Sequence, residues 1–230
     1  MASGGGNLKV REILMHNREF NKKITMYIPK VNLITDKEEI LKFIKRYSFG
    51  SIITAKDSLP IATHLPFLVS IKDDNIILTS HFAKANEHWK DVENFKNLVI
   101  FSEPHSYISP KNYDSELNVP TWNYISIHAY GKGKLITETA KIYKILEATI
   151  NNYETSYREK WEGFPEDYKV KMSKGIVAFE IFVTELQAKK KISQNRTKTE
   201  QKKIIETLSK SNDSNDNLIA EYMKDNLEIE

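Results

Sequence analysis

Between Thr79 and Asn86 the chain places two hydroxyls, an imidazole, an ammonium and a carboxamide within eight residues, Thr-Ser-His-Phe-Ala-Lys-Ala-Asn. If a strand passes into a helix here, the hydroxyls of Thr79 and Ser80, the unpaired N–H groups of the helix start and the Lys84 ammonium suit a phosphate. A solvated turn with a surface lysine accounts for the same residues equally well, and Asn86 caps the helix under either reading. His64 lies in the apolar stretch Ala62-Thr63-His64-Leu65-Pro66. An isolated histidine there is more readily a core or edge residue satisfied by the backbone than a ligand contact.

A second group lies further on, in Pro104-His-Ser-Tyr-Ile-Ser-Pro110, Pro120-Thr-Trp-Asn-Tyr124 and His128-Ala-Tyr-Gly131. His105, Tyr107, Trp122, Asn123, Tyr124 and His128 fit a flat, hydrogen-bonding heteroaromatic ring, and they fit barrel-core or dimer-interface packing as well. A third group is the basic run Lys189–Lys203, with seven Lys or Arg against one Glu. Such a run is most simply a solvated face; if it binds, Lys191 and Arg196 suit a cofactor phosphate and the whole run suits a nucleic-acid backbone.

Composition removes several chemistries. The 230 residues contain no Cys, so thiolate nucleophiles, disulfides, iron–sulfur clusters and Cys-based zinc sites are excluded. The six His show no compact metal-ligand spacing, and glycine-rich dinucleotide loops, phosphate-loop and nucleophile-elbow patterns are missing. The net charge of +3 is too balanced to announce nucleic-acid binding by itself. No apolar run approaches the ~20 residues that span a bilayer, which leads us to expect a cytoplasmic protein with no membrane contact.

The elements that must position these groups are mainly β. Thr35-Asp-Lys-Glu38 reads as a capping box opening a helix over 36–47. Strands follow over 50–55, 61–71 and 76–81, joined by Lys-Asp-Ser and Lys-Asp-Asp-Asn turns too short for helical crossovers. A short helix is expected over 85–93, strands over 98–103 and 122–136, and a helix through Ile142, Ile145, Leu146 and Ile150 after a Thr137 cap. Gly131 and Gly133 suit a bulge or barrel corner. A buried strand over 175–186 comes next, then a second capping box, Thr197-Lys-Thr-Glu200, opens a helix through Ile204, Ile205 and Leu208; a short, fraying helix ends the chain. Residues 1–25 read as a loosely ordered extension, 26–196 as the main domain and 197–230 as a helical tail. The order favours a closed barrel with peripheral helices.

Met26-Tyr-Ile-Pro-Lys30, Phe49-Gly50, Ile61-Ala-Thr-His-Leu-Pro66, Ser80-His81 with Ala85-Asn86 and Trp89, Pro104-His-Ser-Tyr-Ile-Ser109, Asn118-Val-Pro-Thr-Trp-Asn-Tyr124, Gly175-Ile-Val and Lys191-Ile-Ser-Gln-Asn-Arg196 together resemble the PaiB family. Its members are FMN-binding negative regulators of transcription. The resemblance covers about residues 26–210 and implies an α+β fold, the FMN-binding split β-barrel of the pyridoxamine-phosphate-oxidase type, assembled as a homodimer with FMN in two interfacial grooves. By that analogy Thr63 and His64 would flank the isoalloxazine, and Thr79, Ser80 and Lys84 would hold the phosphate with Asn86 beside them. Trp122, Asn123, Lys191 and Arg196 would approach from the partner chain. DNA contact would fall on the Lys189–Lys203 segment. Where the family has Asn-Pro-Gln-Trp this chain has Asn86-Glu-His-Trp89, which brings a carboxylate close to the expected phosphate. An FMN-dependent oxidoreductase would use the same binding residues, since flavin carries the hard chemistry. A haem-binding barrel using His64 or His81 is a third reading.

Overall fold

The computed structural model describes residues 26–228; the expected N-terminal extension, residues 1–25, lies outside the described residues. Helix α1 (Lys37–Arg46) begins one residue later than its capping box implies, because Asp36 rather than Thr35 accepts the exposed N–H of Glu38, at 2.8 Å. Strands β1 (Phe49–Lys56) and β2 (Leu59–Pro66) form a hairpin whose two turn residues, Asp57 and Ser58, both have positive φ. That pair of dihedrals matches the twist of antiparallel strands. Asp73 and Asp74 repeat the device between β3 (Leu68–Lys72) and β4 (Asn75–Ala83).

The expected single strand over 61–71 is two strands broken at Phe67, and that break closes the barrel. Among the described residues seven strands pair in the order β2-β1-β5-β6-β7-β4-β3, with β5 Lys96–Ile108, β6 Thr121–Ile136 and β7 Ile176–Lys191. The two edge strands, β2 and β3, are therefore joined by one residue. A sheet whose edges are so tethered must curl back on itself, its two edges coming together at Phe67 without pairing. Phe67, 1% exposed, sits at the seam with its N–H on the Ser48 carbonyl (2.8 Å) and its ring edge-on to Phe101 and Phe179. The Ser80 hydroxyl donates to the Pro66 carbonyl at 2.6 Å and pins the seam from β4.

The long strands β6 and β7 shift register between Tyr130 and Gly131. The glycines there have negative φ, so they are required for close approach rather than for φ. A Cβ on Gly131 would strike the Phe182 carbonyl, and one on Gly133 would strike Val92. Helix α2 (Thr139–Tyr153) starts at Glu138, not at a Thr137 cap, and buries none of its residues fully; α3 (Arg158–Glu162) and α4 (Glu166–Lys174) follow. Strand β7 runs five residues past the expected end, through Lys191.

After β7, the Thr197–Glu200 capping box is present and opens α5 (Lys198–Ser209). The final helix α6 (Ser214–Leu227) is long and carries Ile219, Ala220 and Met223 into the interior. These join Ile204, Ile205 and Leu208 in the same cluster as Ile52, Phe101, Ile127 and Phe179, so the helical tail and the barrel share one core. Among the described residues no helix is long and apolar enough to cross a membrane.

Candidate functional site

Side chains alternate along a strand, and three adjacent pairs of candidates lie on strands. Each pair is split between the two faces of the barrel wall. On β2, an edge strand, Thr63 lies opposite the fully buried Ile52 on the inward side but is only half-buried, whereas His64 lies opposite Ser51 and faces out, its Nδ1 2.7 Å from the Ser51 hydroxyl. On β4, Ser80 is buried in its bond to Pro66, whereas Thr79, between Leu68 and Glu180, faces out. On β6, Asn123 is fully buried and its amide pairs with the Ser193 hydroxyl (3.0 Å), whereas Trp122 is 52% exposed. Ser80 and Asn123 are thus committed to the chain's own interior.

Beyond β4 the expected α-helix over 85–93 is a four-residue 3-10 turn, Glu87–Lys90, capped by Asn86. Too short to develop a helix dipole, it leaves the Lys84 side chain, which is exposed, to supply charge. The Lys84 backbone is held at both ends: its N–H donates to Gly175 (2.8 Å) and its carbonyl accepts from the Trp89 indole (3.1 Å). Glu87 pairs with Lys90 at 2.5 Å, and that ammonium lowers the carboxyl pKa. The extra acid is thereby paired within its own turn.

Sequence reasoning missed His88. It is 3% exposed and bridges the Thr63 hydroxyl (2.9 Å) and the Thr54 hydroxyl (2.8 Å), while Asn86 also donates to Thr63 (3.1 Å). The available signal was a histidine between a capping Asn and a Trp, in a stretch too polar for a core segment. Burial lowers the pKa of His88, with Asp91 opposing, and burial likewise lowers those of His81 and His128.

The outer face of the opposite end gathers His105, Tyr107, Trp122 and Tyr124. Trp122 lies against His105 and edge-on to Tyr107. The Lys189 ammonium stands 5.0 Å over the Tyr124 ring, and the Lys191 ammonium donates to the Thr121 hydroxyl and, at 2.5 Å, to the Trp122 carbonyl. Arg196 stacks 3.7 Å over Tyr113 and bonds Asn118 (2.8 Å). Burial, followed by the charges of Lys189 and Arg196, lowers the Lys191 pKa. Three clustered cations of this kind favour an anion.

The structure brings together Thr63 and Asn86, and separately Trp122, Lys191 and Arg196. It does not bring the two sets together. His64 shares a cross-strand row with Ser51, Ile100 and His128, and Trp122 lies six residues from His128 along β6, roughly 20 Å. Among the described residues no cluster of His, Asp and Glu could hold a metal ion.

An antiparallel barrel with tethered edges, long shared strands and outward-facing aromatic and basic groups defines the class: a split β-barrel. Solved structures bear this out at the level of fold. The flavocytochrome Anf3 from Azotobacter vinelandii superposes with a TM-score of 0.58 at 14% identity, over 72% of each chain. A protein from Mycobacterium smegmatis described as binding FAD and haem gives 0.55 at 13% identity, over 70% of this chain and 73% of that one. Residues 26–185 match the family described as a putative FMN-binding domain. The chain is 40% identical over 206 residues to the protease synthase and sporulation protein PAI 2 of Bacillus subtilis, a match covering 88% of this chain and 98% of that protein. The chain belongs to this PaiB family.

Proposed function

We propose that the protein is a cytoplasmic, FMN-binding regulator of transcription that holds the flavin in a groove between two copies of the chain. The observation that carries the groove is the separation of the two ligand sets on one chain. One flavin cannot lie against Thr63 and Asn86 and also reach Trp122, Lys191 and Arg196 of the same copy. A two-fold axis that apposes the outer faces would bring one copy's aromatic and basic set to the other's turn at Thr79–Asn86. The cations that repel one another around Lys191 then meet the phosphate. The family model supports the cofactor, and the regulatory role rests on kinship with PAI 2.

A visible-range titration with FMN, run beside light scattering for mass, tests this reading. Flavin bound by a dimer, with affinity reduced in W122A and K191A, is expected. No flavin bound at saturating ligand would refute the cofactor assignment, and a monomer that binds FMN through Thr63 and Asn86 alone would refute the shared groove.

DNA contact is proposed for the Lys189–Lys203 segment, on its helical part. Lys198 and Lys202 are exposed one turn apart on α5. Lys189, Lys190 and Lys191 are tied within the chain, to the Tyr27 carbonyl (3.1 Å), to Glu39 (2.6 Å) and to the start of β6.

A further inference from the structure

Beside the proposed flavin wall, five side chains from β1, β2, β5 and the Glu87–Lys90 turn with its cap run in series, and their hydrogens can be placed in only one order while His88 is neutral. Asn97, fully buried, spends both amide hydrogens on the carbonyls of Val92 (2.8 Å) and Phe95 (3.1 Å). Its Oδ1 therefore accepts the Thr54 hydroxyl hydrogen at 2.7 Å. Thr54 has only one hydrogen, so at 2.8 Å it accepts from His88 Nε2–H. A neutral imidazole carries one hydrogen, so Nδ1 is bare and accepts from Thr63 at 2.9 Å. Thr63 in turn accepts from Asn86 Nδ2 at 3.1 Å. Asn86 is held in that orientation by the His88 backbone N–H, which donates to its Oδ1 at 3.1 Å.

We propose that His88 is a positioning residue of the flavin site: as the Nε2–H tautomer it leaves Thr63 only acceptor capacity toward the cofactor and orients the remaining Asn86 N–H. Proton uptake at Nδ1 turns that nitrogen into a donor to Thr63, frees the Thr63 hydrogen and so reverses the character of the wall. The assignment of the ligand rests on the FMN reading above; the proton order does not.

The surroundings of the ring decide where the reversal occurs. From β1 and β2 it meets the uncharged Thr54 and Thr63, with Asn97 of β5 bonded behind Thr54, and from β4 the Phe82 ring at 5.2 Å. The charged groups nearby are Asp91, paired with Lys56 at 3.0 Å, and the exposed Glu87–Lys90 pair. Desolvation outweighs Asp91, so the ring is neutral at pH 7 and protonates below the ordinary histidine range.

Two measurements on the full chain test the proposal. With ¹⁵N-labelled histidine, the His88 signal, assigned by its loss in H88Q, is expected to report the neutral Nε2–H tautomer at pH 7; an Nδ1–H tautomer or an imidazolium would overturn it. In FMN titrations H88Q, whose amide oxygen can accept from Thr63 while its NH2 donates to Thr54, should stay within about twofold of wild type at pH 7.5, while H88L should lose about tenfold. Lowering the pH through the His88 titration should weaken the wild type more than H88Q or T63V. Identical pH responses in all three would overturn the positioning role while leaving FMN binding intact. Absence of FMN binding in every variant would instead remove the flavin reading and the positioning role with it, and the tautomer result would stand alone.

Discussion

Replacing Phe67 with alanine tests the claim that one residue closes the barrel. The ring is 1% exposed and packs edge-on against Phe101, with centroids 5.7 Å apart, and Phe179, 6.2 Å apart. Truncating a buried phenylalanine costs ~3–5 kcal/mol through lost transfer energy and the cavity left behind. The upper part of that range applies, because each aromatic pair adds about 0.5–1.5 kcal/mol beyond its buried area and the seam is pinned by the backbone bonds of Phe67 and Pro66, which hinder collapse. F67L, which keeps most of the volume and loses the ring contacts, should cost roughly 1–3 kcal/mol. Urea unfolding followed by tryptophan fluorescence reads both values. Against a typical total of 5–15 kcal/mol, F67A would shift the midpoint by a large fraction of the whole. A loss below about 1 kcal/mol at unchanged m-value would refute the argument, since a residue that closes the barrel cannot be so nearly neutral.

G133A should cost about 1–3 kcal/mol by thermal or urea unfolding, because its Cβ would enter the Val92 backbone and side chain; G163A, whose Cβ meets only ordinary contacts with the Glu159 and Lys160 carbonyls, should be far milder. T197A should lose about 1 kcal/mol by removing a cap. Glu200 accepts from the Asp114 and Thr197 N–H groups, which depress its carboxyl; that stabilisation is present above the unfolded carboxylate pKa and fades as pH falls through the lower folded value. The histidines lie on the same side of the curve. His81, His88 and His128 have folded pKa values below the unfolded one, so the unfolded chain takes up more protons and stability measured by urea unfolding should fall as pH drops below about 6.5. Replacing Lys189, Lys190 and Lys191 together with alanine should lower the melting temperature, whereas K198A/K202A should weaken retention on DNA and flatten its salt dependence without moving it.

Much of the fold was legible because local and global signals agree. Short polar turns, glycines flanking a strand corner and the Thr197–Glu200 capping box each point to one geometry, and each is realised. What the pattern hid depends on tertiary burial. Thr63-His-Leu-Pro-Phe-Leu-Val69 reads as one extended run because a strand, a one-residue seam and another strand share the same composition, and only the meeting of the sheet edges separates them. The polar sequence Ala83–Glu93 resembles a helix start; its hydrogen-bonding groups are instead taken up by neighbouring strands, which leaves only four residues in a turn. The last helix carries few strongly apolar residues, and Ile219 and Met223 are buried because α6 lies on β5.

The candidate residues can be picked out in the sequence by type, but the faces to which they point cannot. The sequence offers Thr63 and His64, Thr79 and Ser80, and Trp122 and Asn123 as adjacent pairs, although the strands that carry them send neighbours to opposite faces. The inward members are still tied to the site. Ser80 anchors the seam next to which Thr79 is presented, Asn123 holds Ser193 beneath the loop that carries Arg196, and Thr63 joins β2 directly to both Asn86 and His88. Polar residues buried in a barrel wall must be satisfied internally, and here their partners are the segments that bear the outward groups. A substitution at an inward residue should therefore act on ligand binding through the placement of its outward neighbour. Loss of affinity in S80A or N123A would then trace the support of the site and would not by itself mark a cofactor contact.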